Sequence, residues 1–232
     1  LLTAHLMPHA TPDAAAPEGR FPRRKTPPQP LQLHLQASTE SEASPMAMPT
    51  TIDGRAAIQS SLVRAWGLEG YARIQRTVRE TDVSSDADFQ RFYNRFYRVR
   101  RNAEWQSSYY AIMEREKATP SMAFGDVLRE MHELTGNVEA SFTSKMIATL
   151  HPDRPIWDSL VLARLGLRLK GTTAQAKLEN AVEVYGKIVS WYETYLATED
   201  AEKNIRLFDE LLPDYAWLTP VKKVDFLLWS ER

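Results

Sequence analysis

Residues 141–166, with the sequence SFTSKMIATLHPDRPIWDSLVLARLG, predict a helix, a tight loop and a second helix. Pro152 and Pro155 bracket the loop, because each proline fixes its own φ angle and keeps the residue before it out of helical geometry. Asp158 stands where the second helix should begin, and Gly166 stands where it should end. We expect the rest of the chain to fold around this pair of helices.

Two residues of this segment carry groups suited to catalysis. Lys145 lies on the first predicted helix and Asp158 at the start of the second, and together they offer a nucleophile and an acid–base partner. The alternatives are structural: Asp158 is a plain N-cap, and the stem of Lys145 covers apolar surface while its ammonium group reaches water. A nucleophilic lysine also needs a lowered pKa, and Arg154 or Arg164 is a candidate for the cation that lowers it.

Residues 155–167, PIWDSLVLARLGL, resemble the segment Pro-(apolar)-x-Asp-(Ser/Thr)-x-Val-x-x-x-Leu-Gly-Leu of the helix-hairpin-helix DNA glycosylase superfamily. The resemblance implies an all-helical fold and a hydrolase of DNA repair that excises a damaged base. It implies that Asp158 is the catalytic carboxylate and that Lys145 is the nucleophile of a glycosylase with AP lyase activity. Some members carry an iron–sulfur cluster on cysteines, and this chain has no cysteine, so we expect no cofactor.

A predicted helix upstream carries an aromatic stripe and a basic one. Its aromatic residues follow helical spacing and share one face, and they are Phe89, Phe92, Tyr93, Phe96 and Tyr97. Such a stripe is typical of a core, but aromatic and basic side chains together are also typical of a nucleic-acid surface. No acidic residue lies between 89 and 102. We therefore expect contacts to DNA from Arg95, Arg98, Arg100, Arg101 and, in the hairpin loop, Arg154.

The composition of the 232 residues limits the classes of partner. The formal net charge is -1, so any DNA contact must come from a local patch. Neither His132 nor His151 has a partner at metal-ligand spacing, and cysteine is absent, so we expect no metal site. No apolar run approaches the roughly 18 residues that span a bilayer, so we expect no membrane partner. The lack of cysteine is typical of a reducing compartment, and we expect a cytoplasmic protein.

Residues 1–50 differ in composition from everything after them. They hold nine of the fourteen prolines and a single aromatic residue, Phe21. Such a segment buries too little apolar surface to offset its ordering entropy, so we predict a disordered tail. A basic cluster at residues 20–25 leaves a targeting peptide as the alternative. The chain does not begin with Met, and Met46 precedes the first segment with helical periodicity. A further alternative is therefore that residues 1–45 are a fusion or result from translation that starts upstream of the gene's own start codon.

Residues 51–232 predict one all-α domain, an orthogonal arrangement of roughly nine or ten helices like that of a DNA glycosylase. Apolar residues recur at helical spacing, and caps are expected at Ser85 or Asp86, at Thr172 or Thr173, and at Thr219. No alternating β pattern of useful length appears in this range. Near the end of the domain, three charged residues predict either a solvated face or a basic edge beside the hairpin: Lys222, Lys223 and Asp225.

Two functions from different classes remain open. The first is a DNA-binding protein that resembles base-excision glycosylases and cleaves the N-glycosidic bond of a damaged base. The second is a non-catalytic helical module that binds nucleic acid or another anionic partner through the arginine-rich helix. The family's Gly-rich hairpin, which grips DNA phosphate, is missing, since Gly136 is the only glycine between Gly125 and Gly166, and this favours the second function. A shared site for Lys145 and Asp158 would favour the first.

Overall fold

The computed structural model describes residues 51–60 and 67–230. These residues form α-helices and one 3-10 helix, with no β-strand among them, which confirms the all-α prediction. The predicted disorder of residues 1–50 lies outside the described residues. The ten α-helices of the described part are α1 (Gly54–Gln59), α2 (Leu68–Thr77), α3 (Ala87–Tyr97), α4 (Ala103–Glu116), α5 (Phe124–Thr135), α6 (Ala140–Leu150), α7 (Ser159–Arg164), α8 (Ala174–Leu196), α9 (Glu199–Leu211) and α10 (Pro220–Ser230), with the 3-10 helix at Pro213–Tyr215.

Polar side chains begin several helices, among them α3 and α8, whose caps Asp86 and Thr173 were predicted. Asp86, Asn102 and Thr173 precede α3, α4 and α8, and the side-chain oxygen of each accepts a backbone N–H of the first turn. These bonds satisfy donors that have no partner within the helix. Helix α5 is different, because it begins after Ala123 without a side-chain cap and leaves Ser121 outside it.

The aromatic stripe of α3 is divided between the core and a second layer. The core interpretation is confirmed for the three residues of the stripe that are fully buried, Phe89, Tyr93 and Tyr97. Phe92 and Phe96 are half-buried and pack toward α2. Gly70 makes this approach possible, since a Cβ at that position would lie 2.7 Å from the Phe96 ring. The guanidinium of Arg73 covers the other ring, 4.0 Å from the centroid of Phe92.

Helix α10 is buried by helices on several sides, which overturns one prediction. Lys222, Lys223 and Asp225 do not form a solvated face, because they are only 1%, 4% and 1% exposed. Helices α1, α7, α8 and α9 pack around α10, and its apolar residues lie all round its axis, as expected for a buried helix. The buried charges are paired: Lys222 Nζ lies 2.6 Å from Asp225 Oδ2, and Lys223 Nζ lies 2.5 Å from Asp209 Oδ1.

The loop between α6 and α7 is held by side chains from distant parts of the chain. Its prolines set the direction of the turn, and hydrogen bonds then fix its position. Three carbonyl groups at the end of α6 and in the loop accept these bonds: Leu150 from Arg79 at 2.6 Å, Pro152 from Thr219 at 2.7 Å, and Pro155 from Tyr185 at 3.1 Å. The start of α7 is therefore positioned by residues that flank or belong to α2, α8 and α10.

Candidate functional site

Two serines of α6 connect this helix to the segment before α7. The hydroxyl of Ser141 donates to the carbonyl oxygen of Trp157 at 3.0 Å, and the N–H of Trp157 donates to Oγ of Ser144 at 2.9 Å. Ser144 immediately precedes Lys145, and Trp157 immediately precedes Asp158. These two hydrogen bonds therefore bring the candidate nucleophile and the candidate carboxylate to one junction between α6 and α7.

The ammonium group of Lys145 lies among aromatic rings. Its Nζ is 5.0 Å from the centroid of Phe142 and 5.9 Å from the centroid of Tyr97. Such contacts stabilise a cation over the negative face of a ring. The side chain is half-buried, so the prediction that its ammonium group simply extends into water does not describe this environment.

Burial lowers the pKa of the Lys145 ammonium group, the Asp158 carboxylate counteracts that decrease, and the Arg98 guanidinium adds to it. Lys145 and Asp158 are thus close enough to interact, as one shared site requires. Arg98 is the cation that lowers this pKa, in place of the predicted Arg154 or Arg164. A lysine with a lowered pKa carries a larger neutral fraction at neutral pH, and the neutral amine is the nucleophilic form.

Asp158 is the N-cap of α7, as predicted. Its Oδ1 accepts the N–H groups of Leu160 and Val161, each at 2.9 Å. A carboxylate in this position is oriented by two donors and favoured by the positive end of the helix. Both bonds go to Oδ1, so among the described residues the second oxygen, Oδ2, is left without a backbone donor. The cap and a proton-accepting role are therefore compatible in one side chain.

Arg98 occupies a strained position at the end of α3. Its backbone has φ 55° and ψ 42°, in the left-handed region, where an L-residue is disfavoured by roughly 1–2 kcal/mol. The N–H of Arg98 and that of Val99 both donate to the carbonyl of Asn94, a bonding pattern that closes the helix. Glycine is the usual residue here, and the arginine instead places a guanidinium near Lys145.

The other arginines of the basic segment are also exposed, and acidic partners are identified for two of them. Arg101 forms two hydrogen bonds with Glu139, at 2.9 and 3.0 Å, and Arg91 pairs with Asp88. Arg95 and Arg100 are exposed, like Arg98. The positive charge of the segment is therefore smaller than its sequence alone indicates, because acidic residues before and after it in the chain neutralise part of it.

A groove of about 330 Å³ lies next to these arginines. Its walls include Arg100, Arg101 and Asn102 just before α4, the carboxylate of Glu104 in the first turn of α4, and the connection between α5 and α6. Arg154 lies elsewhere, in the hairpin loop, where it is exposed and interacts with His151. The structure thus groups Arg100 with Arg101, groups Arg98 with Lys145, and leaves Arg154 apart from both.

A buried polar cluster, which was not predicted, adjoins this site. The hydroxyl of Tyr192 donates to Asp225 Oδ1 at 2.5 Å, and Lys222 Nζ lies 5.4 Å from the ring centroid of Tyr71. Burial raises the pKa of Asp225, with hydrogen bonds and the charge of Lys222 counteracting, and the Asp158 carboxylate adds to the increase. The cluster is therefore near the α6–α7 junction. The signal that could have revealed it is the apolar residue pattern around the whole of α10.

Comparison with protein-family models, curated protein sequences and solved structures gives no match to this chain. The described residues include no group of three or more histidine, aspartate and glutamate side chains arranged to hold a metal ion. None of the described helices combines the length and the apolar character needed to cross a membrane. The resemblance to DNA glycosylases stays a prediction, and the α6–α7 junction is the feature on which a function can be argued.

Proposed function

We propose that this all-α protein binds DNA and cleaves the N-glycosidic bond of a damaged base, with Lys145 as nucleophile and Asp158 as its acid–base partner. One observation carries the proposal: the hydrogen bonds of Ser141 and Ser144 to Trp157 bring both side chains to one rigid junction. A nucleophile and a base held on such elements avoid the entropic cost of being brought together.

The proposed reaction conserves atoms and charge. The neutral amine of Lys145 forms a bond to C1′ of the deoxyribose as the bond from C1′ to the base breaks, and the base leaves with the electron pair. The nitrogen of Lys145 gives a proton to Asp158, and the leaving base gains a proton from the site or from water. Opening of the sugar ring then breaks the C1′–O4′ bond as the nitrogen forms a double bond to C1′, and O4′ takes the proton held by Asp158, which leaves a protonated Schiff base.

The environment of Lys145 supports its role as the attacking group. Its burial disfavours the charged ammonium form, and the Arg98 guanidinium disfavours it further. Asp158 favours the charged form, and the same attraction stabilises the cation that develops at the sugar in the transition state. The strained backbone at Arg98 supports a functional reason for the arginine, since strain concentrates at sites where it serves the mechanism.

The DNA backbone has a candidate contact surface beside this junction. Arg98 and Arg100 are exposed there, and the 330 Å³ groove that includes Arg100 and Asn102 adds hydrogen-bond donors for a phosphate. Phe142 connects the two regions, because Arg101 and Lys145 lie 5.5 and 5.0 Å from the centroid of its ring. A strand that contacts the arginines would therefore pass close to Lys145.

The test is to incubate the protein with duplexes that carry different damaged bases, in the presence of borohydride. Borohydride reduces a Schiff base to a stable amine, so the proposal predicts a covalent protein–DNA adduct at one or more lesions. Lys145→Met should abolish the adduct, whereas Lys177→Met, at an exposed lysine of α8, should leave it unchanged. If no duplex in the panel gives strand nicking, base release or an adduct, the proposed enzymatic function is refuted.

The alternative, a non-catalytic module that binds an anionic partner, is favoured by the same groove. Its arginine and asparagine walls fit a phosphate group without any reaction. DNA binding that persists in Lys145→Met and Asp158→Asn, with no base release by the wild type, would favour this second function.

A further inference from the structure

Two large apolar side chains are exposed where α9 connects to α10. Trp217 is 55% exposed, the highest value for a large apolar side chain in the part of the chain that the structure describes. Leu211, the last residue of α9, is 41% exposed. Tryptophan offers a large apolar ring with one polar edge, and it is enriched among the residues that contribute most to protein interfaces.

The connection that presents Trp217 is held firmly on both sides. Three successive backbone hydrogen bonds close residues 212–218 into tight turns, at 2.9, 3.2 and 3.0 Å. Leu218 is buried, and the hydroxyl of Thr219 donates to the carbonyl of Pro152 at 2.7 Å, which anchors the connection on the α6–α7 loop. The exposure of Trp217 is therefore built into the fold, and a partner would lose little free energy in ordering this segment.

Two unpaired acidic side chains accompany these apolar residues. Glu210 and Asp214 are exposed, and the carboxylate of neither forms an ion pair or a hydrogen bond with a described residue. Glu210 lies in the last turn of α9, which holds no basic residue and where the free carbonyl groups already create a negative potential. A cation from outside the molecule would relieve this unfavourable arrangement.

The cations nearest in the chain have carboxylates of their own. Arg206, one turn before Glu210, pairs with Glu202 at 3.2 Å. Arg154, in the α6–α7 loop, directly follows Asp153, and both are exposed. These four charges cancel in pairs, so they do not neutralise the acidic residues beside Trp217.

Glu210 also borders a groove of about 590 Å³ between the start of the described domain and α9. Two cations and two carboxylates line this groove besides Glu210 and the paired Arg206, and they are Arg55, Lys203, Asp53 and Asp200. Their charges cancel as well. Glu210 and Asp214 thus remain as the excess charge next to Trp217, and a negative surface opposes contact with a nucleic-acid phosphate.

Asp214 and Trp217 are placed to act on one ligand group. They are three residues apart in turns of the 3-10 type, where side chains at this spacing lie on the same side. Tryptophan attracts cations more strongly than any other aromatic residue. A guanidinium group is flat and stacks on an aromatic face while it pairs with a carboxylate, and its apolar stem covers neighbouring apolar surface.

We propose that the α9–α10 surface, formed by Glu210, Leu211, Asp214 and Trp217, binds a basic segment of a partner protein. An arginine side chain of that segment lies over the indole ring of Trp217 and pairs with Asp214 or Glu210, and an apolar neighbour contacts Leu211. This surface uses none of the residues proposed to contact DNA or to act on it, so the inference does not depend on the proposed enzymatic function.

The test measures peptide binding to the full chain at low salt by fluorescence anisotropy. The probes are two labelled peptides of about 11 residues, one that alternates leucine with arginine and one that alternates leucine with glutamate. The arginine peptide should bind, and the glutamate peptide should not. Trp217→Ala should weaken binding of the arginine peptide by about twofold to thirtyfold, the range for one cation–π contact. Glu210→Gln with Asp214→Asn should also weaken binding and reduce its dependence on salt.

Val182→Ala and Glu133→Gln are the matched controls, because both residues are exposed and belong to other helices. Both controls should bind the arginine peptide as the wild type does, and thermal unfolding shows that each variant is folded. The inference is overturned if the arginine peptide does not bind the wild type, or if Trp217→Ala and the acid variant bind it equally well.

Two other occupants of the surface give different results. If Trp217→Ala weakens the binding of a single-stranded oligonucleotide and not that of the peptide, the ring stacks on bases and the inference is wrong. If the wild type sediments as a dimer and Trp217→Ala as a monomer, with peptide binding unchanged, the surface joins two copies of this chain and the inference is also wrong.

Discussion

The N–H of Trp157 donates to Oγ of Ser144 at 2.9 Å in the interior of the protein, across 13 residues of sequence. This bond fixes the backbone immediately before Asp158 against the backbone immediately before Lys145. The distance between the two candidate catalytic groups is therefore set by a serine that has no chemical role of its own.

Replacing Ser144 with Ala should destabilise the protein and separate the candidate pair. The change leaves the buried N–H of Trp157 without its acceptor, which costs about 1–3 kcal/mol. Denaturant unfolding gives the stability, and the yield of the borohydride adduct gives the activity. The control is Ser108→Ala on α4, where the lost bond to Glu104 is near the surface and both quantities should stay close to wild type. Equal behaviour of the two variants would contradict the positioning role.

Asp158→Asn separates the cap of α7 from the proposed acid–base function. Asparagine caps about as well as aspartate, so the free energy of unfolding should change little, whereas Asp158→Ala should lose roughly 0.5–2 kcal/mol. Base excision should be lost in both variants, because neither side chain can accept a proton from Lys145. An Asn variant that excises as well as the wild type would show that the carboxylate is structural only.

The stability contributed by Lys145 should increase with pH. The pKa of Lys145 in the folded state lies below its value of about 10.4 in the unfolded chain. Between these two pH values the unfolded chain binds more protons, so the folded state gains stability as pH rises. The free energy of unfolding of the wild type, minus that of Lys145→Met, should therefore increase from pH 8 toward pH 10.5. A flat or falling curve for Lys145 would show that its ammonium group is not destabilised by burial.

Arg98 and Arg100 should account for much of the salt dependence of DNA binding. Each phosphate contact contributes about 0.9 to the slope of log affinity against log salt, so Arg98→Gln with Arg100→Gln should reduce that slope by about 2. Arg91→Gln is the control, because this arginine pairs with Asp88 on its own helix. No retention of the wild type on DNA at low salt would remove the basis for the enzyme and for a module that binds nucleic acid.

Arg101 was predicted to contact DNA as well, but its replacement should act mainly on stability. Glu139 is 5% exposed and would lose both hydrogen bonds to the guanidinium. We expect Arg101→Gln to reduce the free energy of unfolding by about 1–3 kcal/mol, the range for bonds to a charged group whose partner is partly exposed. A variant with wild-type stability and weak DNA binding would instead support the original prediction.

The sequence predicted the helices well, because capping residues and apolar spacing act locally. Asp86, Thr173 and Asp158 cap helices where expected. The environment of each charged residue was less predictable, because it depends on contacts between distant parts of the chain. Lys222 was predicted on a solvated face or on a basic edge beside the hairpin, whereas helices from four other parts of the chain bury it.

The candidate site shows the same contrast between local sequence signals and contacts from distant parts of the chain. The lysine and the aspartate were found from their spacing on either side of the Pro-bounded loop. Their cation, Arg98, could not be predicted, because it lies 47 residues before Lys145 and approaches only through the left-handed end of α3.

The hydrogen bond from Thr219 to the carbonyl of Pro152 also determines when the site can be completed during synthesis. Ribosomes add residues from the amino end, so α6, the loop and α7 emerge well before Thr219 and α10. Until then the loop lacks this anchor, and the region beside Asp158 lacks Lys222 and Asp225. The junction that carries the proposed chemistry is therefore among the last parts of the described domain to acquire its final form, and a nascent chain that ends before Thr219 should be inactive.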